Sequence, residues 1–190
     1  MAEPVTIPIA IPEKPWVAVF ANPYARRGPG RVRLEKFMAH LDHLRMPAHL
    51  FFDREIGQAV LQDARAMAHC HCAVAVGGDG TILSLLNEDL QVPLATMPMG
   101  NENLFAQEFG FETDPITLAE AVVAGRTRIT DLGLAGDQHF SLMISAGFDA
   151  AVTHRIAELR TSQNDDGLPS RVNRLSYLRP TLMEMFNYDF

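Results

Sequence analysis

The stretch Cys72-Ala-Val-Ala-Val-Gly-Gly-Asp-Gly-Thr-Ile-Leu-Ser-Leu-Leu86 decides how the rest of the chain is read. Cys72 to Val76 is a short run of small and β-branched apolar residues, too short for a helix, and it predicts a buried strand. Gly77, Gly78, Asp79 and Gly80 turn the chain, and Thr81 opens an amphipathic run that predicts a helix. Strand, glycine turn and helix start aim backbone N–H groups and the positive end of a helix at an anion. Glycine suits that turn because a Cβ would block close approach of the backbone. A carboxylate beside a bare anion would repel it, so Asp79 fits either a magnesium-linked phosphate or an Asx-type turn. A strand–helix turn with no ligand satisfies the same residues, and one short glycine motif does not separate the two.

Other polar turns lie on either side. Trp16 to Ala21 reads as a first strand, closed by Asn22-Pro23. Pro93 to Pro98 reads as another, followed by Met99-Gly100-Asn101-Glu102-Asn103-Leu104-Phe105-Ala106, a turn that runs into a helix. Between these lie an apolar helical face (Leu34, Phe37, Met38, Leu41, Leu44), a strand at Ala48 to Phe52, and a helix carrying Val60, Leu61, Ala64, Met67 and Ala68. The βαβαβ alternation predicts an α/β fold with a doubly wound parallel sheet. Ligands of such sheets sit outside the carboxyl ends of the strands, where all three polar turns fall.

Four ordered segments, Asn22-Pro23, Gly77 to Thr81, Pro98 to Ala106 and Gly147-Phe148-Asp149-Ala150, resemble the diacylglycerol kinase catalytic domain, within the superfamily that also holds NAD kinases. The resemblance implies an ATP-dependent lipid kinase that requires Mg²⁺. It places Asn22, Gly77, Gly78, Asp79, Gly80, Thr81, Gly100, Asn101 and Asn103 along the nucleotide cleft, with Asp79 working through the metal-linked phosphate. Asn101 stands where the family usually has a threonine, so an amide replaces a hydroxyl; Asp53 stands where it often has another. There is no Gly-Lys-Ser or Gly-Lys-Thr, so the site is not of the Walker type. An NAD kinase-like phosphotransferase and a nucleotide-binding module without catalysis are the alternative readings.

Composition sets outer bounds. In 190 residues, 47% are hydrophobic and 21% charged, the profile of an ordinary globular chain. A net charge of −7 argues against general nucleic-acid binding and gives no global attraction to anionic membrane. Contact with a lipid surface would therefore be local and transient. No apolar run approaches the ~20 residues needed to span a bilayer. Two cysteines suit a reducing, cytoplasmic setting. The proline-rich start, with no basic n-region, reads as an extended tail over residues 1–15 rather than a secretory signal.

The expected organisation is an α/β nucleotide-binding domain over 16–126 and part of a β-rich second domain, with helices, over 127–190. Asp114-Pro115 to Gly125 predicts a capped helix. Thr127 to Leu134 and His139 to Ser145 alternate like the strands of a hairpin. Ala150 to Arg160 predicts a helix with Asp149 as its cap, then a polar loop to Ser170, then a final helix over 172–186. In the family the second domain is a much longer β-rich sandwich carrying the general base in an acidic-glycine turn, so the chain reads as cut short. Asp165-Asp166-Gly167 lies too early to be that turn, and the catalytic residue stays unassigned. Strand-like residues from Arg126 to Ser145 without partners would favour homo-oligomers.

Two further features invite a reading. Arg26, Arg27, Arg31 and Arg33 form a basic, glycine-containing loop suited to phosphate, a lipid headgroup or solvent. In His69-Cys70-His71-Cys72, strand alternation puts the two cysteines on one face and the histidines on the other, which fits core thiols better than a zinc site.

Overall fold

The computed structural model describes residues 14–23, 28–88, 90–162 and 180–181. Most of the amino-terminal tail, Arg26 and Arg27, Asp165 and Asp166, most of the polar loop ending at Ser170 and nearly all of the closing helix lie outside the described residues. The chain divides between Leu142 and Met143 into two compact units.

The first unit is built on four parallel strands, β1 (Trp16–Ala21), β2 (Ala48–Phe51), β3 (Cys70–Gly77) and β4 (Leu94–Pro98), in the order β2-β1-β3-β4. All six residues of β1 are buried, which is why it reads as an unbroken apolar run: both faces of the sheet are covered. Val17, Val19, Val74, Val76 and Met97 face one core, shared with Leu34, Phe37 and Leu41 of α1 (Gly28–His43) and Leu118 and Val122 of α6 (Pro115–Ala124). Ala18, Phe20, Ala73 and Ala75 face the other. There they meet Val60 and Leu61 of α2 (Arg54–Gln62), Ala66 of α3 (Ala64–Ala68), Ile82 and Leu85 of α4 (Asp79–Leu86), and Phe105 of α5 (Leu104–Phe109).

This order fixes where the crevice lies. From β1 the chain steps outward to β2 through α1; from β3 it steps the opposite way to β4 through α4. Helices α1 and α4 therefore cover opposite faces while β1 and β3 are neighbours, and the carboxyl ends of β1 and β3 flank the topological switch point.

The structure refines several sequence expectations. The helix expected across Val60 to Ala68 is two, because Asp63 takes an extended backbone conformation and its carboxylate accepts from the N–H groups of Arg65 (2.7 Å) and Ala66 (3.2 Å). Such a cap satisfies donors at a helix start, so it begins a new helix where it stands. Asp53 does the same for α2 through Glu55 and Ile56, which gives that residue a structural role. Strand β3 begins at Cys70 with an irregularity: Trp16 pairs with Cys70 but Val17 with Cys72. The extra residue, His71, is a bulge that turns Cys72 into the α1–α6 core while Cys70 packs in the other. The two thiols therefore do not share a face, because strict alternation fails at a bulge. Arg31 and Arg33 belong to α1 rather than to a loop.

The hairpin is shorter than its alternation suggested. It comprises β5 (Gly133–Ala135) and β6 (Gln138–Phe140), antiparallel, around a left-handed Gly136. Asn87, at the end of α4, holds it: the side-chain amide accepts from His139 N–H (2.8 Å) and donates to His139 C=O (3.1 Å). In the second unit, α7 (Phe148–Ser162) carries its own apolar cluster of Phe148, Val152 and Ile156. Gly147 is left-handed and its carbonyl accepts from Ala151 N–H. Asp149 therefore stands inside the first turn of α7 instead of capping it.

Candidate functional site

At the end of β1, Asn22 donates its backbone N–H to Val76 C=O (3.0 Å), so the two strands stay joined up to the crevice. Beyond β3, Gly78 is the extended N-cap residue of α4 and supplies no side-chain cap. The N–H groups of Asp79 and Gly80 head that helix, outside its own hydrogen-bond ladder. Gly77 makes room for Thr81, whose hydroxyl would clash with a Cβ there. Around Gly80 nothing stands within 4 Å of the position a Cβ would take, so one side of the turn is open.

The turn after β4 packs directly on this one. Met99 N–H donates to Gly77 C=O (2.7 Å). A Cβ on Gly100 would stand 2.7 Å from Gly78 Cα, and one on Gly78 would stand 3.1 Å from Gly100 Cα. Both glycines are thus required by backbone-to-backbone approach, in addition to any ligand.

Two polar side chains lock the pair of turns. Asn103 adopts a left-handed conformation (φ 50°), tolerable for asparagine, and spends its amide on the two main-chain groups of one residue. Its Oδ1 accepts from Gly100 N–H (2.7 Å) and its Nδ2 donates to Gly100 C=O (2.9 Å). Asn103 gives α5 no side-chain cap. Asp79 does so from the neighbouring turn: its carboxylate accepts from Leu104 N–H (3.1 Å) and Phe105 N–H (2.9 Å). The family motifs set Asp79 and the turn residues along one cleft, but this cross-turn cap is not legible in them. It joins residues 25 and 26 positions apart, and a distance of that kind carries no local pattern.

A further residue that the motifs did not single out is Arg33, half-buried on α1. Its guanidinium donates to Pro98 C=O (2.9 Å) and to Thr113 C=O. The described structure thus brings together Gly77, Gly78, Asp79, Gly80, Thr81, Gly100 and Asn103, and sets Asn22 at the end of the adjoining strand. Among the described residues no group of three or more His, Cys, Asp or Glu side chains could hold a metal. Asp79 keeps a further lone pair on each oxygen after its two accepted bonds, room for one ligand contribution to a hard cation.

Residues 16–135 match the diacylglycerol kinase catalytic domain. The chain belongs to that family. This diacylglycerol kinase-type domain is 35% identical over 105 residues to a Pseudomonas putida protein named "Probable lipid kinase YegS-like", a match covering 53% of the chain and 35% of the relative. A Chromohalobacter salexigens protein of the same name is 31% identical over 87 residues, covering 43% and 28%. The matches span about a third of the length of these curated relatives. In shape, a diacylglycerol kinase of Bacillus anthracis matches with a TM-score of 0.55 at 23% identity, over 68% of this chain and 46% of that one. That likeness shows the α/β fold. No helix among the described residues is long and apolar enough to cross a membrane.

Proposed function

We propose that this chain binds Mg²⁺-ATP at the switch-point crevice and forms the nucleotide-binding part of a lipid kinase that passes the γ-phosphoryl group to a lipid hydroxyl. The observation that carries the reading is the Gly78–Gly100 approach, where a Cβ on either residue would meet the other's backbone. It sets the N-terminal N–H groups of α4 beside the Gly100–Asn103 turn, at the place where doubly wound sheets take ligands. Phosphoryl transfer asks mainly for positioning and charge neutralisation, and fixed backbone donors meet that need without reorganising.

In this reading Gly80 leaves the open side of the turn to the phosphates, Gly77 and Gly78 let Thr81 and Gly100 close in around the backbone donors, and Thr81 offers a hydroxyl. Asn22, Gly100 and Asn101 line the crevice, while Asn103 holds the turn in shape. Asp79 is the side chain assigned to Mg²⁺, which supplies neutralisation of phosphate charge when bound. The acceptor, of diacylglycerol or sphingoid type, is met at a membrane surface from the cytoplasmic side. Family membership and the names of the relatives support this class of substrate; the catalytic base is unassigned, and without one transfer by this chain is slow, since a base contributes ~10²–10⁴-fold.

The test pairs binding with transfer. Calorimetry should show Mg²⁺-ATP binding by the wild type and a loss of at least about tenfold, ~1.4 kcal/mol, in Gly78→Val. Circular dichroism checks that the variant keeps its sheet. Unchanged affinity in that variant would remove the phosphate assignment. Radiolabelled transfer is then compared across diacylglycerol, a sphingoid base and NAD⁺. Transfer to NAD⁺ alone would move the chain to the NAD kinase reading, and binding without any transfer would favour a nucleotide-binding module.

A further inference from the structure

We propose that Arg33 is a positioning residue that pins the Gly100–Asn103 turn by gripping both ends of the excursion that carries it. The role rests on the nucleotide reading above for its functional consequence, although the pin itself is a property of the free protein.

The excursion leaves the sheet at Pro98, forms the turn and α5, and ends at Thr113, one residue before Asp114 caps α6. Arg33 donates Nη1–H to the Pro98 carbonyl at the departure point and Nη2–H to the Thr113 carbonyl at the return point. One guanidinium thus closes the base of a loop that lacks strand pairing along its length. Both acceptors are neutral main-chain oxygens, so the contact depends on a planar fork with two donors rather than on charge pairing. A lysine ammonium is a compact point charge and does not reproduce that fork. Charged donors also make the stronger class of hydrogen bond.

The pin complements the contacts on the far side of the turn. Asp79 holds Leu104 and Phe105 from α4, and Asn103 bonds both the N–H and the C=O of Gly100. Arg33 approaches from α1, on the opposite face of the sheet. The turn is therefore clamped between the helix that follows β1 and the helix that follows β3, the two that diverge at the switch point. Without the α1 clamp the turn stays tethered to α4, and to β3 through Met99, but its return limb at Thr113 loses the tie to α1.

Arg33→Met and Arg33→Lys test this by amide hydrogen exchange on the nucleotide-free protein and by ATP titration with and without Mg²⁺. Both variants should exchange about tenfold faster at Gly100 and Leu104 while the amides of β1 and β3 keep wild-type protection. Both should bind ATP about tenfold more weakly, by the same factor whether or not Mg²⁺ is present, and added guanidinium ion should restore part of the Arg33→Met loss. Unchanged exchange in Arg33→Met, or wild-type behaviour in Arg33→Lys, overturns the pin. Faster exchange with unaltered ATP affinity overturns its positioning role. A wild type that binds no ATP defeats the nucleotide reading separately, and the exchange data still decide whether the pin exists.

Discussion

Cys72 shows what burial does to an ionisable group that serves only packing. Set into the core between the sheet and α1, its thiol is pushed up to about 12, chiefly by desolvation, with the neighbouring Cys70 adding to the rise. Its unfolded-state value lies near ~8.5, so above that pH the unfolded chain releases a proton that the native one keeps. Stability from this thiol is full below that point and falls as pH rises toward about 12, with a limiting slope of ~1.4 kcal/mol per pH unit. Denaturant midpoints from pH 8 to 11 should drop more steeply for the wild type than for Cys72→Ala, even though the alanine variant starts lower for its lost packing. Parallel curves would contradict the assignment. Other residues were less legible from sequence. Asn103 reads as a nucleotide contact on its motif, and its amide also bonds the N–H and C=O of Gly100. That pairing depends on the closed geometry of a turn, which spacing alone does not specify.

Among elements, the strands of the sheet and most of the helices facing it were legible because burial on both faces writes long apolar runs and helical periodicity into the chain. Misreadings occurred where one residue changes the count. At His71 the bulge shifts the register, so alternation assigned Cys70 and Cys72 to one face while the sheet separates them. At Asp63 a cap interrupts an apolar periodicity that continues across the break, so the pattern reads as one helix where two stand. The hairpin strands are shorter than the pattern suggests because Thr127 to Leu132 alternates as a strand would but pairs with no strand among the described residues; β-patterning describes a surface waiting for a partner as well as one that has found it. Arg33 reads as part of a basic loop because α1 opens on Gly28, Pro29 and Gly30, residues typical of turns, and its two acceptors, carbonyls 65 and 80 residues away, leave no local pattern.

For the whole molecule, the exposed apolar side chains bear on solution behaviour. Ile129 is 97% exposed and Leu134 63%, both in the first unit, and large apolar groups so displayed favour association. Sedimentation velocity should find concentration-dependent oligomers for the wild type and a shift toward monomer in Ile129→Lys; a strictly monomeric wild type would contradict this. The strand order has another consequence, for the time course of folding. β1-α1-β2 and β3-α4-β4 are each assembled from contacts between chain neighbours, whereas the β1–β3 seam joins segments far apart in sequence. Closing that long loop costs entropy before any contact rewards it, so the two halves should form early and zip together late. Ala substitution of Val74, in the seam, should then accelerate unfolding while barely slowing refolding, and a large refolding defect would reverse the order. The crevice would thus be the last feature of the sheet to be born, and a ligand that bridges its two lips would act as a brake on their parting.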